Sequence, residues 1–340
     1  MRVVLFLMLF ITISQYSIGQ IQIENLIFEG AGIRGIAYSG AIHELEKAGI
    51  TSNIKKVGGT SAGAITALML SLGYTSSEIY EIISSTKFQS FNDGKFIFIG
   101  GIYRMNNRFG WYRSDAFNKW LEKIITNKTG NADITFSDLK KNGFKDLYVT
   151  GTCLNKQQLL VFSVETFPSM KIKDAVRASM SIPLYFEAVF IDNVGNSYKN
   201  KNSGKNLDIV VDGGITGNFP IFLFDTYSKD SLQGKIRIPN NKTLGFRIDS
   251  DAQIISDSIN HDLATLEINN TIDYLSAFYI YSIESLNRIP LIPQDWERTV
   301  SVSCAGINPK VRKLSEKELE TLIKSGENAT AKFLSGRNKK

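Results

Sequence analysis

The stretch IFEGAGIRGIAYSGAI, residues 27–42, carries Gly30, Gly32 and Gly35 at i, i+2 and i+5 between an apolar run and an amphipathic one. NLIF, just ahead of Gly30, has the composition of a buried strand. Beyond the glycines, Ile36, Ala37, Ala41, Ile42, Leu45 and Ala48 fall at helical spacing until Gly49 closes the segment. The plan then repeats. In IKKVGGTSAGAITALMLSLG, residues 54–73, a short strand at Ile54 to Val57 leads through a tight turn into an apolar helix from Ala62 to about Leu72. Two such units in succession predict a βαβ crossover with parallel strands, so both turns face one edge of the sheet. In open α/β sheets that edge is where ligands bind.

The rest of the chain suits one α/β domain behind a leader. Of its 340 residues 43% are hydrophobic and 21% charged, the balance of a globular chain with ample core. No Pro/Ser-rich linker, repeat or low-complexity tract divides it. The polar run NVGNSYKNKNSGKN, residues 193–206, lies between apolar segments and is expected to be a long surface loop. MRVVLFLMLFITISQYSIGQ combines Arg2, an apolar run from Val3 to about Ile13, and small residues at Ser17 and Gly19. That is the pattern of a cleaved secretory signal over residues 1–19, leaving a single domain over 20–340. The apolar run is shorter than the roughly 20 residues of a membrane-spanning helix. The expected location is therefore secreted or periplasmic, with peripheral attachment to an outer membrane as an option. Lys and Arg number 39 against 33 Asp and Glu, a formal charge of +6, but they are scattered, which argues against nucleic acid as a partner. Cys153 and Cys304 sit inside apolar runs and read as buried thiols in preference to a disulfide.

Three glycines at this spacing also fit a dinucleotide loop. Such a site needs Asp or Glu at the end of the second strand, about 20 residues on, to hold the ribose, and no acidic residue occurs between Glu46 and Glu78. The second strand instead ends in Gly59-Thr60-Ser61-Ala62-Gly63, a G-x-S-x-G pentapeptide in the strand–turn–helix setting of a nucleophile elbow. A serine on so sharp a turn projects its hydroxyl above the sheet, and Gly59, Ala62 and Gly63 let the backbone reverse. The helix N-terminus favours the charge that develops on an attacked carbonyl. A base is also needed, and the two histidines are poorly placed. His43 lies about eight residues, some 12 Å, along the first helix, and His261 is on a polar stretch remote from any Gly-rich turn. LDIVVDGGITGNFP, residues 207–220, supplies a carboxylate: Asp212 ends the apolar strand Ile209 to Val211, and Gly213 and Gly214 permit a turn. If that strand runs parallel to the others, Asp212 reaches the same edge as Ser61. A carboxylate of pKa about 3.9 is a weak base that exclusion of water strengthens.

Together, Gly30-Ala31-Gly32-Ile33-Arg34-Gly35, Gly59-Thr60-Ser61-Ala62-Gly63 and Asp212-Gly213-Gly214 resemble the three motifs of the patatin-like phospholipases. AVRASMSIPLYF, residues 175–186, resembles that family's segment of small residues before a proline beneath the site, and the likeness runs from about Ile23 to Leu334. The resemblance implies a three-layer α/β/α fold with a central, mostly parallel sheet. It also implies a Ser-Asp dyad that cleaves ester-linked acyl chains of phospholipids or lysophospholipids through an acyl-enzyme. On that basis Ser61 is the nucleophile and Asp212 the general base. The N–H groups around Ala31, Gly32 and Ile33 form the oxyanion hole, and Arg34 steadies the loop or meets a phosphate. No metal, cofactor or nucleotide is implied. The family's motif commonly has glycine where Ala31 stands, and alanine disfavours positive φ. The alternatives are a hydrolase of neutral glycerides or small esters, or a non-catalytic module holding a lipid headgroup.

Residues 87–114 interleave Phe88, Phe91, Phe96, Phe98, Tyr103, Phe109, Trp111 and Tyr112 with basic side chains, which suits a lipid-facing surface, a lid, or core aromatics with solvated charges between them. Lys199, Lys201 and Lys205 extend the surface loop. IDYLSAFYIYSIESL, residues 272–286, is expected to be a buried helix, and the tail a scaffold helix capped by Ser315 and Glu318.

Overall fold

The computed structural model describes residues 22–94, 97–201, 206–230, 234–310 and 312–337. The signal sequence, Phe96 and Lys205 fall outside them. Nine strands build the central sheet: β1 Asn25–Phe28, β2 Lys56–Gly59, β3 Asp146–Cys153, β4 Gln158–Phe162, β5 Val189–Ile191, β6 Ser197–Tyr198, β7 Asp208–Asp212, β8 Thr243–Asp249 and β9 Thr299–Ser303. Their order is β9-β8-β1-β2-β3-β7-β5-β6, with β4 also paired to β3. The helices that bear on the site are α1 Ala37–Lys47, α2 Ala62–Ser71, α3 Ile97–Arg108, α4 Ile172–Ser179, α5 Thr271–Arg288 and α6 Glu316–Arg337.

Strands β9, β8, β1, β2 and β3 are parallel to one another, as the repeated strand–turn–helix pattern predicts. Alternate residues of β1 serve opposite faces. Leu26 and Phe28 enter the larger core with residues of α1 and α2, and Ile27 enters a smaller one with Phe219, Ile221 and Phe224.

Strand β7 is antiparallel to β3, so the parallel direction on which the sequence made the placement of Asp212 conditional is not the one found. Its predecessors β5 and β6 form an antiparallel pair, and β7 lies between β5 and β3, antiparallel to both. Asp212 still reaches the active edge, because the two halves of β3 have different partners. Asp146–Val149 pair with β2. From Val149 to Cys153 one side of β3 is taken by β4, which leaves Gly151–Cys153 open to β7 on the side that β2 occupies lower down. Strands β2 and β7 therefore approach each other tip to tip. Gly59 is level with Val149 and Asp212 with Gly151.

Most of the aromatic run at 87–114 is internal. Phe88 and Phe91 pack with Phe117 and Trp120, Phe109 with Phe190, and Tyr112 with Tyr185. Among the described side chains, which do not include that of Phe98, Ile99, Ile102 and Tyr103 of α3 are the exposed large apolar ones of that region. Burial of α5 is a second correction: Tyr274, Phe278 and Tyr281 are 61%, 67% and 64% exposed. The helix is docked through its last turns against the short turn Gly214–Gly217. Among the described residues both cysteines are buried free thiols. The predicted cap on α6 is present, with Ser315 and Glu318 each accepting the other's N–H.

Candidate active site

Ser61 joins β2 to α2 with φ 52° and ψ −119°, a conformation that costs a residue with a Cβ about 1–3 kcal/mol and persists only where the surroundings impose it. The surroundings here are close packing and hydrogen bonds. A Cβ on Gly63 would lie 2.2 Å from the Phe28 carbonyl oxygen, so only glycine lets α2 start this near β1. Thr60 is fully buried and donates its hydroxyl to Gly217 O at 2.7 Å. Ser61 N–H donates to Ser179 Oγ at 2.8 Å.

The end of α4 and the two residues after it serve both sides of the site. Ser179 holds the Ser61 amide, and Ser181 O accepts the Asp212 N–H at 2.9 Å. Between them, Met180 Sδ sits 3.3 Å from Ser61 Oγ. The Ser61 hydroxyl is near enough to the Asp212 carboxyl to pull its pKa down, while its hydrogen bond goes to the soft Met180 acceptor. Ser61 and Asp212 are 8% and 7% exposed. Burial pushes the Asp212 carboxyl up to about 6, against the opposing pull of the Gly214 N–H, 2.7 Å from Oδ1, and of the Ser61 hydroxyl. A carboxylate with its pKa near 6 is a far better proton acceptor than a solvated one.

The Gly-rich loop lies against this pair. A Cβ on Gly30 would be 3.3 Å from Ser61 Cβ and would collide with the Asn218 side chain. Gly30 is held in both directions by Asn218, donating its N–H to Asn218 O and accepting from Asn218 Nδ2, each at 3.1 Å. Ala31 has φ −135° and Gly32 φ +57°, so the left-handed position falls on the glycine and alanine fits its place. Arg34 Nε donates to Ala31 O at 3.2 Å, the loop-steadying alternative expected from sequence. Among the described residues the N–H groups of Ala31 and Gly32 have no acceptor, and Ile33 N–H has only Pro309 O at 3.5 Å. Beneath the loop, Glu29 accepts Ile248 N–H and pairs with the buried Arg247 at 3.3 Å. Burial raises the Glu29 carboxyl and the Arg247 guanidinium pulls it back.

This geometry agrees with what the chain resembles. The family model for patatin-like phospholipases matches residues 26–225. The chain belongs to the patatin-like phospholipase family. It is thus a lipid acyl hydrolase. Similar proteins include the uncharacterized protein R571 of Acanthamoeba polyphaga mimivirus, 32% identical over 82% of this chain and 80% of that one. The probable lipid hydrolase 463L of Invertebrate iridescent virus 6 is 29% identical over 58% and 62%. Among solved structures, VipD from Legionella pneumophila shares the fold with a TM-score of 0.59 at 16% identity, over 93% of this chain and 67% of its own.

Within this patatin-like fold, Gly30 to Gly35, Gly59 to Gly63 and Asp212 to Gly214 all converge on one edge, and Gly213 sits against Thr150 where a Cβ would be 2.5 Å from Thr150 Oγ1. His43 is exposed on α1, and His261 stacks on Trp296. Neither has a hydrogen bond to Ser61 or Asp212 among the described residues. Ser179, Met180, Asn218 and Asn287 touch the site's framework and were not singled out by motif; the first three lie inside recognised stretches, whereas Asn287 comes from α5 with no local signal. Because the Asp212 carboxyl titrates higher in the folded chain than its unfolded value of about 3.9, its contribution to stability is present at low pH and lost as pH rises through about 6. Asp212→Asn is expected to stabilise the protein at pH 8 by up to about 3 kcal/mol, with the gain absent below about pH 4; urea unfolding at the two pH values measures it.

Proposed function

We propose that the protein cleaves fatty acyl esters of phospholipids or lysophospholipids with Ser61 as nucleophile and Asp212 as its base. The observation that carries this reading is the tip-to-tip approach of β2 and β7, which sets a strained serine beside a buried carboxylate. In the first step Ser61 Oγ attacks the ester carbonyl, and Asp212 takes the hydroxyl proton and passes it to the departing alcohol. The oxyanion rests on the N–H groups of Ala31 and Gly32. Water then enters, Asp212 accepts its proton, and the fatty acid leaves as Ser61 regains its hydroxyl. This sequence routes no step through a metal or nucleotide.

Lipid is met at exposed apolar surface. Ile99, Ile102 and Tyr103 of α3 and Tyr274, Phe278 and Tyr281 of α5 present apolar side chains to solvent, the chemistry of peripheral attachment. No helix among the described residues is long and apolar enough to cross a membrane. The leader sends the mature chain out of the cytoplasm, into a periplasm or beyond it.

Incubation with defined phospholipids should release fatty acid from the wild-type protein and none above background from Ser61→Ala, and kcat/KM should rise with pH through about 6 as Asp212 ionises. Wild-type activity in Ser61→Ala would overturn the assignment. Replacing Tyr274, Phe278 and Tyr281 together by Ser should weaken co-sedimentation with phospholipid vesicles while hydrolysis of a soluble short-chain ester stays within about twofold of wild type.

A further inference from the structure

Two loops must hold a fixed separation for this chemistry, the Gly-rich loop and the turn after Asp212, and both are fastened from outside their own motifs. Asn287, in the last turn of α5, is 6% exposed, and its side-chain amide bonds to both ends of that framework as well as to its own helix. Its Oδ1 accepts the Asn218 N–H at 2.5 Å, and its Nδ2 donates to Gly214 O at 2.8 Å and to Ile283 O at 2.9 Å. Gly214 and Asn218 are the two ends of the turn that follows Asp212. Gly214 N–H holds Asp212 Oδ1, and Asn218 holds Gly30 through both its backbone carbonyl and its side chain. One amide thus reaches the carboxylate in one direction and the oxyanion loop in the other. An amide suits that task because it has an acceptor and two donors; aspartate lacks the donors and leucine lacks both.

We infer that Asn287 is a positioning residue for acyl transfer, setting the Asp212 turn and the Gly30–Gly35 loop at their working distance from Ser61. The inference rests on the roles assigned above to Ser61 and Asp212. It touches neither substrate nor reacting atoms. Its contribution is to hold two partners whose misplacement by about 1 Å costs on the order of 100-fold in rate. Losing it also frees the Gly214 N–H to drift from Asp212 Oδ1, which weakens a bond favouring the charged carboxylate.

The test uses the full-length mature chain, a soluble p-nitrophenyl ester and a fluorophosphonate probe that counts reactive serines, so that rates are expressed per titrated site. Asn287→Ala is expected to lower kcat on the order of 10- to 100-fold with KM within about twofold, and to move the acid limb of the kcat/KM profile upward in pH. Asn287→Asp keeps the acceptor and should lose less of kcat; it carries the comparison if the alanine variant yields no titratable sites. Wild-type kcat per titrated site and an unmoved acid limb in the variant that folds would overturn the inference, whatever its thermal stability. Ser61→Ala serves as the separate control. If it still hydrolyses the ester at the wild-type rate, the catalytic assignment falls and the inference with it; if it is inactive while Asn287→Ala behaves as wild type, the inference alone falls.

Discussion

Strand β3 is longer than β2, and the surplus is what brings the site together. Its lower half pairs with β2, and the upper half, on the same side, pairs with a strand running the other way. Two chain segments about 150 residues apart are thereby aimed at one point along a single hydrogen-bonded edge. Successive residues of a strand advance about 3.3 Å, so the two-residue gap between the levels of Gly59 and Asp212 is the room into which the Ser61 turn fits. Everything else at the site answers to that spacing. Glycines stand where α2 crosses β1 and where the Gly-rich loop passes Ser61, and side-chain amides and hydroxyls tie the loops that no strand ladder reaches.

The same spacing sets the electrostatics. With neighbouring backbone packed on every side, Asp212 loses water, keeps the hydrogen bond from Gly214 N–H and feels the pull of the nearby Ser61 hydroxyl. Dehydration outweighs both, so the charged carboxylate is held at a cost in stability and gains basicity in exchange. Both histidines lie elsewhere, His43 exposed on α1 and His261 stacked on Trp296. The strained backbone of Ser61 belongs to the same trade: it holds the residue at the tip of β2, facing the end of β7, and is supported by Ser179.

How much of this could be read from the chain follows from which interactions are local. The β1 and β2 units, their turns and α2 rest on apolar periodicity and glycine punctuation over a few tens of residues, and they fall within a residue or two of their predicted bounds. Asp212 was identifiable because a strand, a carboxylate and two glycines are contiguous. Its strand direction was not, since direction depends on which distant strand takes each side of β3. The exposed face of α5 escaped for a similar reason: an apolar composition does not say whether a partner covers it. Alanine at position 31 is explained only by the backbone, where the left-handed residue is its neighbour Gly32. Asn287 has no motif at all, and its role arises from tertiary contact over 69 residues to Asn218.

The most direct measurement is a crystal structure of the adduct formed with a long-chain alkyl fluorophosphonate. The account predicts phosphorus bonded to Ser61 Oγ, its phosphoryl oxygen about 3 Å from the amide nitrogens of Ala31 and Gly32, and the Asp212 carboxyl within hydrogen-bond reach of the departing group's position. Phosphorus on another residue, or a phosphoryl oxygen turned away from that loop with Asp212 beyond the reach of one bridging water, would contradict it.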